Sequence, residues 1–236
     1  MCFLLLLANY FTLCSSWGPI FHQVLGQEFA EEYLSHLTPE QTSSFIKGSV
    51  YVDGLSRRLY HDLSNLVSLL NEYSNSSLEY YFVLGFILHM AVDSSGHIGF
   101  PLSYLPLKRP VHYLAELTCC SALMHDRKPP SIDYDDVCQK VYMRTRNGTS
   151  FYFHMFYKVW RIIAKFPVYK LLSYIENDSC KEKCGGKYAM CNLELHILTI
   201  KRLMFDCLLL LNEGKLTNEK LGEISRKELE SFQCCL

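Results

Sequence analysis

The sequence has almost no net charge and almost no strand-like pattern. Its 23 Lys and Arg stand against 24 Asp and Glu in 236 residues, a formal balance of -1. No overall basic field draws such a chain to nucleic acid or anionic lipid, so a partner of either kind has to be argued from a local site. Alternating apolar and polar runs are nearly absent, which argues against a sheet architecture. Internal repeats are missing too, and so is any stretch with the composition of a disordered segment. The length suits one well-packed domain, or at most two small ones.

Residues 1 to 16, "MCFLLLLANYFTLCSS", carry no charged side chain. An apolar run followed by small residues is the pattern of a secretory signal peptide cut after Ser16, and it is too short to span a bilayer as a settled helix. A basic n-region is lacking, and the alternative is a plain hydrophobic N-terminal helix. The division expected is 1–16 as signal peptide and 17–236 as one helical domain, secreted or held in the lumen of the secretory pathway. Three glycosylation sequons, at Asn75, Asn147 and Asn177, have meaning only in that setting. Nine of the 11 cysteines would remain after cleavage. In an oxidising compartment most are expected to pair as disulfides, with at least one left over. The run "CKEKCGGKYAMC" lacks the paired two-residue gaps of structural zinc knuckles.

Helical spacing of apolar residues dominates the chain. Helices are expected at about 20 to 36, 39 to 52, 57 to 73, 77 to 96, 110 to 126, 151 to 175, 188 to 213 and 218 to 232. Starts are marked by Thr38 with Pro39 and Gln41, by Ser76 with Glu79, and by Pro110. "RKPPSIDYDD", near 127 to 136, is the best candidate for a long surface loop. The fold class expected is all-α.

Against this apolar background, "FVLGFILHMAVDSSGHIGF" sets His89, Asp93 and His97 at steps of four. Four residues advance a helix by about 400°, so the three side chains stack along one side and can reach toward one place. "PVHYLAEL" repeats the spacing with His112 and Glu116. Asp53 closes an upstream helix, and His61 follows eight residues later. A lone histidine on an apolar helix is usually a packed or surface residue, the reading given to His36, His125, His154 and His196. With His22 near the start of the chain, these make five histidines and three carboxylates on neighbouring helices, a ligand set that suits zinc. Cleavage after Ser16 would add the α-amine of Trp17. With a reference pKa of about 8 it can give up its proton to a metal, and with its own carbonyl it can close a five-membered chelate ring beside His22.

In this order, a Trp followed by His, then Asp, His, a His-Asp-His helix and a final His-x-x-x-Glu, the sequence resembles the zinc-dependent phospholipase C and P1-type nuclease superfamily. The match runs from about Trp17 to Glu116, and nothing beyond about residue 125 extends it. The resemblance implies an all-helical domain with three zinc ions in one cleft. One zinc would take Asp53, His61, His89 and Asp93; another His97, His112 and Glu116; the third the Trp17 amine and carbonyl with His22, with Asp93 bridging the first and third. The nuclease branch usually spaces the helix histidines ten apart and closes with Asp, whereas here they stand eight apart and Glu116 closes the set. "HMAVDSSGH" is most similar to the catalytic domain of glycosylphosphatidylinositol-specific phospholipase D, although "YVD" stands where a "PD" pair is common.

Metal ions so held can bind a phosphodiester's oxygens, lower the pKa of a bound water and stabilise the departing alkoxide. The activity expected is hydrolysis of a phospholipid or glycolipid phosphodiester, of phospholipase C or D type. The alternatives are a single-strand nuclease of the same metal chemistry and a catalytically inactive, zinc-stabilised binding protein. Asp53 and Asp93 are the candidate catalytic carboxylates, able to accept a hydrogen bond from the attacking water. Tyr51, Phe100 and Tyr104 lie close in sequence to the ligands and are candidates for lining the cleft. "FYFHMFYKVWRIIAKFPVYKLLSY" mixes aromatic residues with Lys158, Arg161, Lys165 and Lys170, either as a peripheral membrane contact or, the favoured reading, as a core helix with a solvated basic edge. Exchanging Asp53 for Asn is expected to lower turnover far more than substrate binding, as steady-state kinetics would measure; unchanged activity would remove its role.

Overall fold

The computed structural model describes residues 18–52, 62–99, 109–144, 150–167 and 188–233, with the backbone alone described at 95–99, 109–116, 144, 150–153, 188–195 and 229–233. These residues form nine helices and no strand: α1 (Pro19–Tyr33), α2 (Pro39–Tyr51), α3 (Leu63–Leu70), α4 (Leu78–Gly99), α5 (Arg109–Asp126), α6 (Asp136–Arg144), α7 (Ser150–Ala164), α8 (Tyr188–Asn212) and α9 (Asn218–Gln233). The all-α expectation holds for them. No helix among the described residues is long and apolar enough to cross a membrane.

Local chemistry sets several boundaries. Thr38 Oγ1 accepts from the backbone N–H of Gln41 at 3.3 Å, and the Gln41 side chain accepts from the N–H of Thr38 at 3.0 Å, which closes a capping box at the start of α2. At the start of α4 the cap is Ser77, whose hydroxyl accepts from Tyr80 N–H at 3.2 Å, and not Ser76. Asp62 is extended and its carboxylate accepts from Ser64 N–H, so α3 begins at Leu63 and no helix runs through from residue 57. α7 ends at Ala164 and not at 175, because Pro167 disfavours helical backbone at the residue before it. One helix was missed: α6 starts where the surface loop ends, with Asp135 accepting from Cys138 N–H at 3.1 Å, and buries Cys138, Val141 and Tyr142.

α4 is the axis of the fold. Its residues 82–89 are buried without a break, as befits a helix apolar on every side, and it packs against α1, α2, α3, α6, α8 and α9. Its closest partner is α2. A Cβ added to Gly48 would overlap the carbonyl oxygen of Phe82, and one added to Gly85 would overlap the carbonyl oxygen of Phe45 and sit 2.7 Å from Ser49 N. The two backbones therefore meet at a pair of glycines, a spacing no larger residue permits. Ser44 Oγ, one turn along, donates to Leu78 O at 2.6 Å. α1 joins the same junction, since a Cβ on Gly26 would lie 2.6 Å from Ser49 Oγ.

Cys138 and Cys207 are buried thiols, each with its pKa pushed up to about 12 by burial. The expectation that most cysteines pair does not hold for these two. Cys180, Cys184, Cys234 and Cys235 lie outside the described residues, and of Cys191 only the backbone is described.

The glycine contact yields a test with two signs. Gly48→Ala or Gly85→Ala is expected to lower unfolding free energy by about 1–3 kcal/mol or more, as overpacking does. Gly222→Ala, in α9 with nothing within 4 Å of the added carbon, is expected to raise it by about 0.5–1 kcal/mol. Urea denaturation of the three variants reads both.

Candidate metal centre

Three of the nine predicted ligands are described with side chains, and the fold brings all three together. His22 comes from the first turn of α1, and His89 and Asp93 from successive turns of α4. One ligand atom from each lies within 4.8 Å of the others. His22 Nε2 is 3.3 Å from Asp93 Oδ1, and His89 Nε2 is 3.2 Å from Asp93 Oδ2. The two imidazoles stack with ring centroids 3.8 Å apart and planes 18° from parallel. Both rings are wholly buried, and Asp93 is 8% exposed.

The spacing suits a shared cation, with one ligand atom coming from each side chain, and it equally suits a His–Asp ion pair. The orientation of His89 fits as well: its Nδ1 donates to the carbonyl oxygen of Ser49 at 2.8 Å. That bond fixes a proton on Nδ1 and turns Nε2 toward Asp93, the orientation a metal-bound imidazole needs.

Electrostatics favours an ionised Asp93. Burial alone would push its carboxyl up, but the imidazoles of His89 and His22 outweigh burial and hold it well below the usual carboxylate range. Its two oxygens face different histidines, so it can serve both at once.

The remaining candidates divide by position. Trp17, Asp53 and His61 lie outside the described residues. His97 stands two turns beyond His89 on α4, and His112 and Glu116 are on α5, with backbones alone described. Tyr51 does not line an open cleft: it is fully buried, and its hydroxyl pairs with His154 Nδ1 at 2.5 Å. Phe100 and Tyr104 lie outside the described residues. A groove of about 520 Å³ between α1, α2 and residues 130–133 is lined by Gln23, Gln27 and Lys47 among others, and by none of the three clustered ligands.

Sequence reasoning missed Ser49, because its contribution is a backbone carbonyl that no side-chain motif announces. A signal existed in Gly85, four residues before His89: a glycine inside a strongly apolar helix marks close packing, and what packs there is the turn of α2 that carries Ser49. Compared with family models, with curated proteins and with solved structures, the chain matches none. What the cluster does is therefore argued from its own chemistry.

The other histidines stay apart from the site, as expected. His36 and His125 are exposed, and His154 pairs with Tyr51. His196 is buried, with its pKa pushed down to about 4 from 6.5 by loss of solvation. Between these values the unfolded chain binds a proton that the folded chain refuses, so its share of stability is present above about pH 6.5 and falls by up to about 1.4 kcal/mol per pH unit as pH drops toward 4. Urea midpoints compared at about pH 7.5 and about pH 5 are expected to fall further in the wild type than in His196→Leu.

Proposed function

We propose that the protein is a zinc-dependent phosphodiester hydrolase acting on phospholipid headgroups, of phospholipase C or D type. The observation that carries this reading is the convergence of His22, His89 and Asp93 at metal-ligand spacing, from two helices on which His22 and His89 stand 67 positions apart in sequence. Three residues chosen from the sequence for one chemistry meet in one buried place.

The ligand set fits zinc: two imidazole nitrogens, which a bound metal would hold in the neutral form, and a carboxylate, with the Nδ1 proton of one imidazole fixed from outside. By resemblance to the phospholipase C and P1 nuclease superfamily, Trp17, Asp53, His61, His97, His112 and Glu116 would complete a three-zinc cleft. When bound, zinc would supply a water acidic enough to attack near neutral pH and a Lewis acid for the phosphoryl oxygens.

The chain's own residues set the conditions for that chemistry. Ser49 O holds the His89 ring and its proton in place. Asp93, kept ionised, offers one oxygen toward each histidine, and with lone pairs beyond those a metal would take it could accept a hydrogen bond from the attacking water. Both histidines are wholly buried, and exclusion of water strengthens each electrostatic contact. Secretion after cleavage at Ser16 belongs to the same proposal, since the Trp17 amine exists only in a processed chain.

One preparation tests the reading. The secreted protein is expected to carry zinc, to hydrolyse members of a phospholipid panel, and to lose both properties to a chelator. Asp93→Ala and His89→Ala are expected to lower zinc content and to reduce hydrolysis by about a hundredfold or more. Cleavage of single-stranded nucleic acid with lipids left intact would replace the substrate assignment by a nuclease. Bound zinc with no hydrolysis of either would leave a zinc-stabilised binding protein, and a metal-free chain whose activity ignores chelators would overturn the proposal.

A further inference from the structure

Large apolar side chains exposed singly are ordinary, but alignment of several on one helix is not. Among the described residues six large hydrophobics are well exposed, and three belong to one short stretch: Met155, Ile162 and Phe166, at 42, 59 and 63%. Met155 and Ile162 are seven residues apart, so at about 100° per residue they point within about 20° of one another. Phe166 lies two residues past the end of α7, four residues after Ile162, with its N–H bonded to Ile163 O. The opposite face of α7 is core, with Phe156, Tyr157, Trp160 and Ala164 buried.

Charge is distributed as unevenly. After Asp136 and as far as Pro167 the chain contains Lys140, Arg144, Arg146, Lys158, Arg161 and Lys165 and no Asp or Glu, in a protein whose overall balance is -1. Lys158 and Lys165 are exposed along one flank of the apolar line. Arg161 is committed elsewhere: it donates to Pro129 O at 2.9 Å and Pro130 O at 2.8 Å. α7 is thus a core helix, as its inner face was expected to be, but its solvated edge is apolar as well as basic.

We propose that the outer edge of α7 is a docking surface for an anionic phospholipid membrane, with Met155, Ile162 and Phe166 entering the acyl boundary and Lys158 and Lys165 lying among the headgroups. The choice of lipid rests in part on the phospholipid hydrolase reading and in part on the stripe itself. Methionine and isoleucine offer no flat face on which a nucleic acid base could stack, whereas an apolar line flanked by lysines is what an interfacial helix presents to anionic lipid. The local excess of positive charge supplies the attraction that the near-neutral chain as a whole does not.

The test is co-sedimentation of the secreted protein with phosphatidylcholine vesicles, with and without phosphatidylserine. Binding is expected to need phosphatidylserine, to weaken as salt rises, and to fall by about tenfold or more in Ile162→Glu/Phe166→Glu. Lys158→Glu/Lys165→Glu is expected to abolish the preference for phosphatidylserine. Each variant is accepted only with the wild-type zinc content and melting temperature. Phe166→Trp supplies a second readout: an emission shift to the blue on adding vesicles, expected if the side chain enters lipid. Binding should persist in chelator, so a failed hydrolase with intact vesicle binding, or the reverse, separates this inference from the metal reading. Equal binding by the glutamate variants, no binding by the wild type, a stripe-dependent dimer, or displacement of the protein from vesicles to single-stranded nucleic acid would each overturn it.

Discussion

Everything at the candidate metal centre depends on how closely α2 and α4 approach one another. Gly48 and Gly85 remove the side chains that would keep the two backbones apart, and the turn of α2 that follows Gly48 brings Ser49 O within 2.8 Å of His89 Nδ1. A separation larger by the width of one methyl group would break that bond and leave the imidazole free to turn. Gly26 brings α1 against Ser49 from the other side, and Ser49 Oγ reaches His22 O at 3.3 Å. Both histidines are therefore referred to the same serine, one through its carbonyl and one through its hydroxyl.

The second constraint is electrostatic. A carboxylate this deeply placed would be costly without compensation. Two imidazoles from different helices supply it, and their stacked rings leave both Nε2 atoms on the side of the carboxylate. The imidazoles are wholly buried and stack on one another, so the cluster is held by ring packing as well as by charge. Such a cluster contributes little to stability by itself, and a cation would relieve much of the tension between its groups.

Much of the fold could be read from sequence where a rule is local. The Thr38–Gln41 capping box, the apolar run of α4 and the four-residue step from His89 to Asp93 all act within one or two turns, and each is found as expected. α6 escaped because it is only nine residues long; its helical signal, Cys138 with Val141 and Tyr142, gains meaning only when those residues meet the core. The overextension of α7 was avoidable, since Pro167 stood in the sequence as a stop. The joining of His22 to the His89–Asp93 pair was foreseen through family resemblance, because helix spacing cannot place α1 beside α4. Ser49 was out of reach for the same reason: a carbonyl has no sequence signature, and its use depends on which backbone passes within bonding distance.

Arg161 has a mechanical consequence. Its guanidinium grips the carbonyls of Pro129 and Pro130 and also reaches Gln23 Oε1 at 3.3 Å, while Tyr157 donates to the same oxygen at 2.8 Å. Gln23 is the neighbour of His22 on α1. The helix that bears the apolar edge and the helix that carries His22 are thus tied to one another through a single side chain, Gln23, so a load on the first is passed to the second.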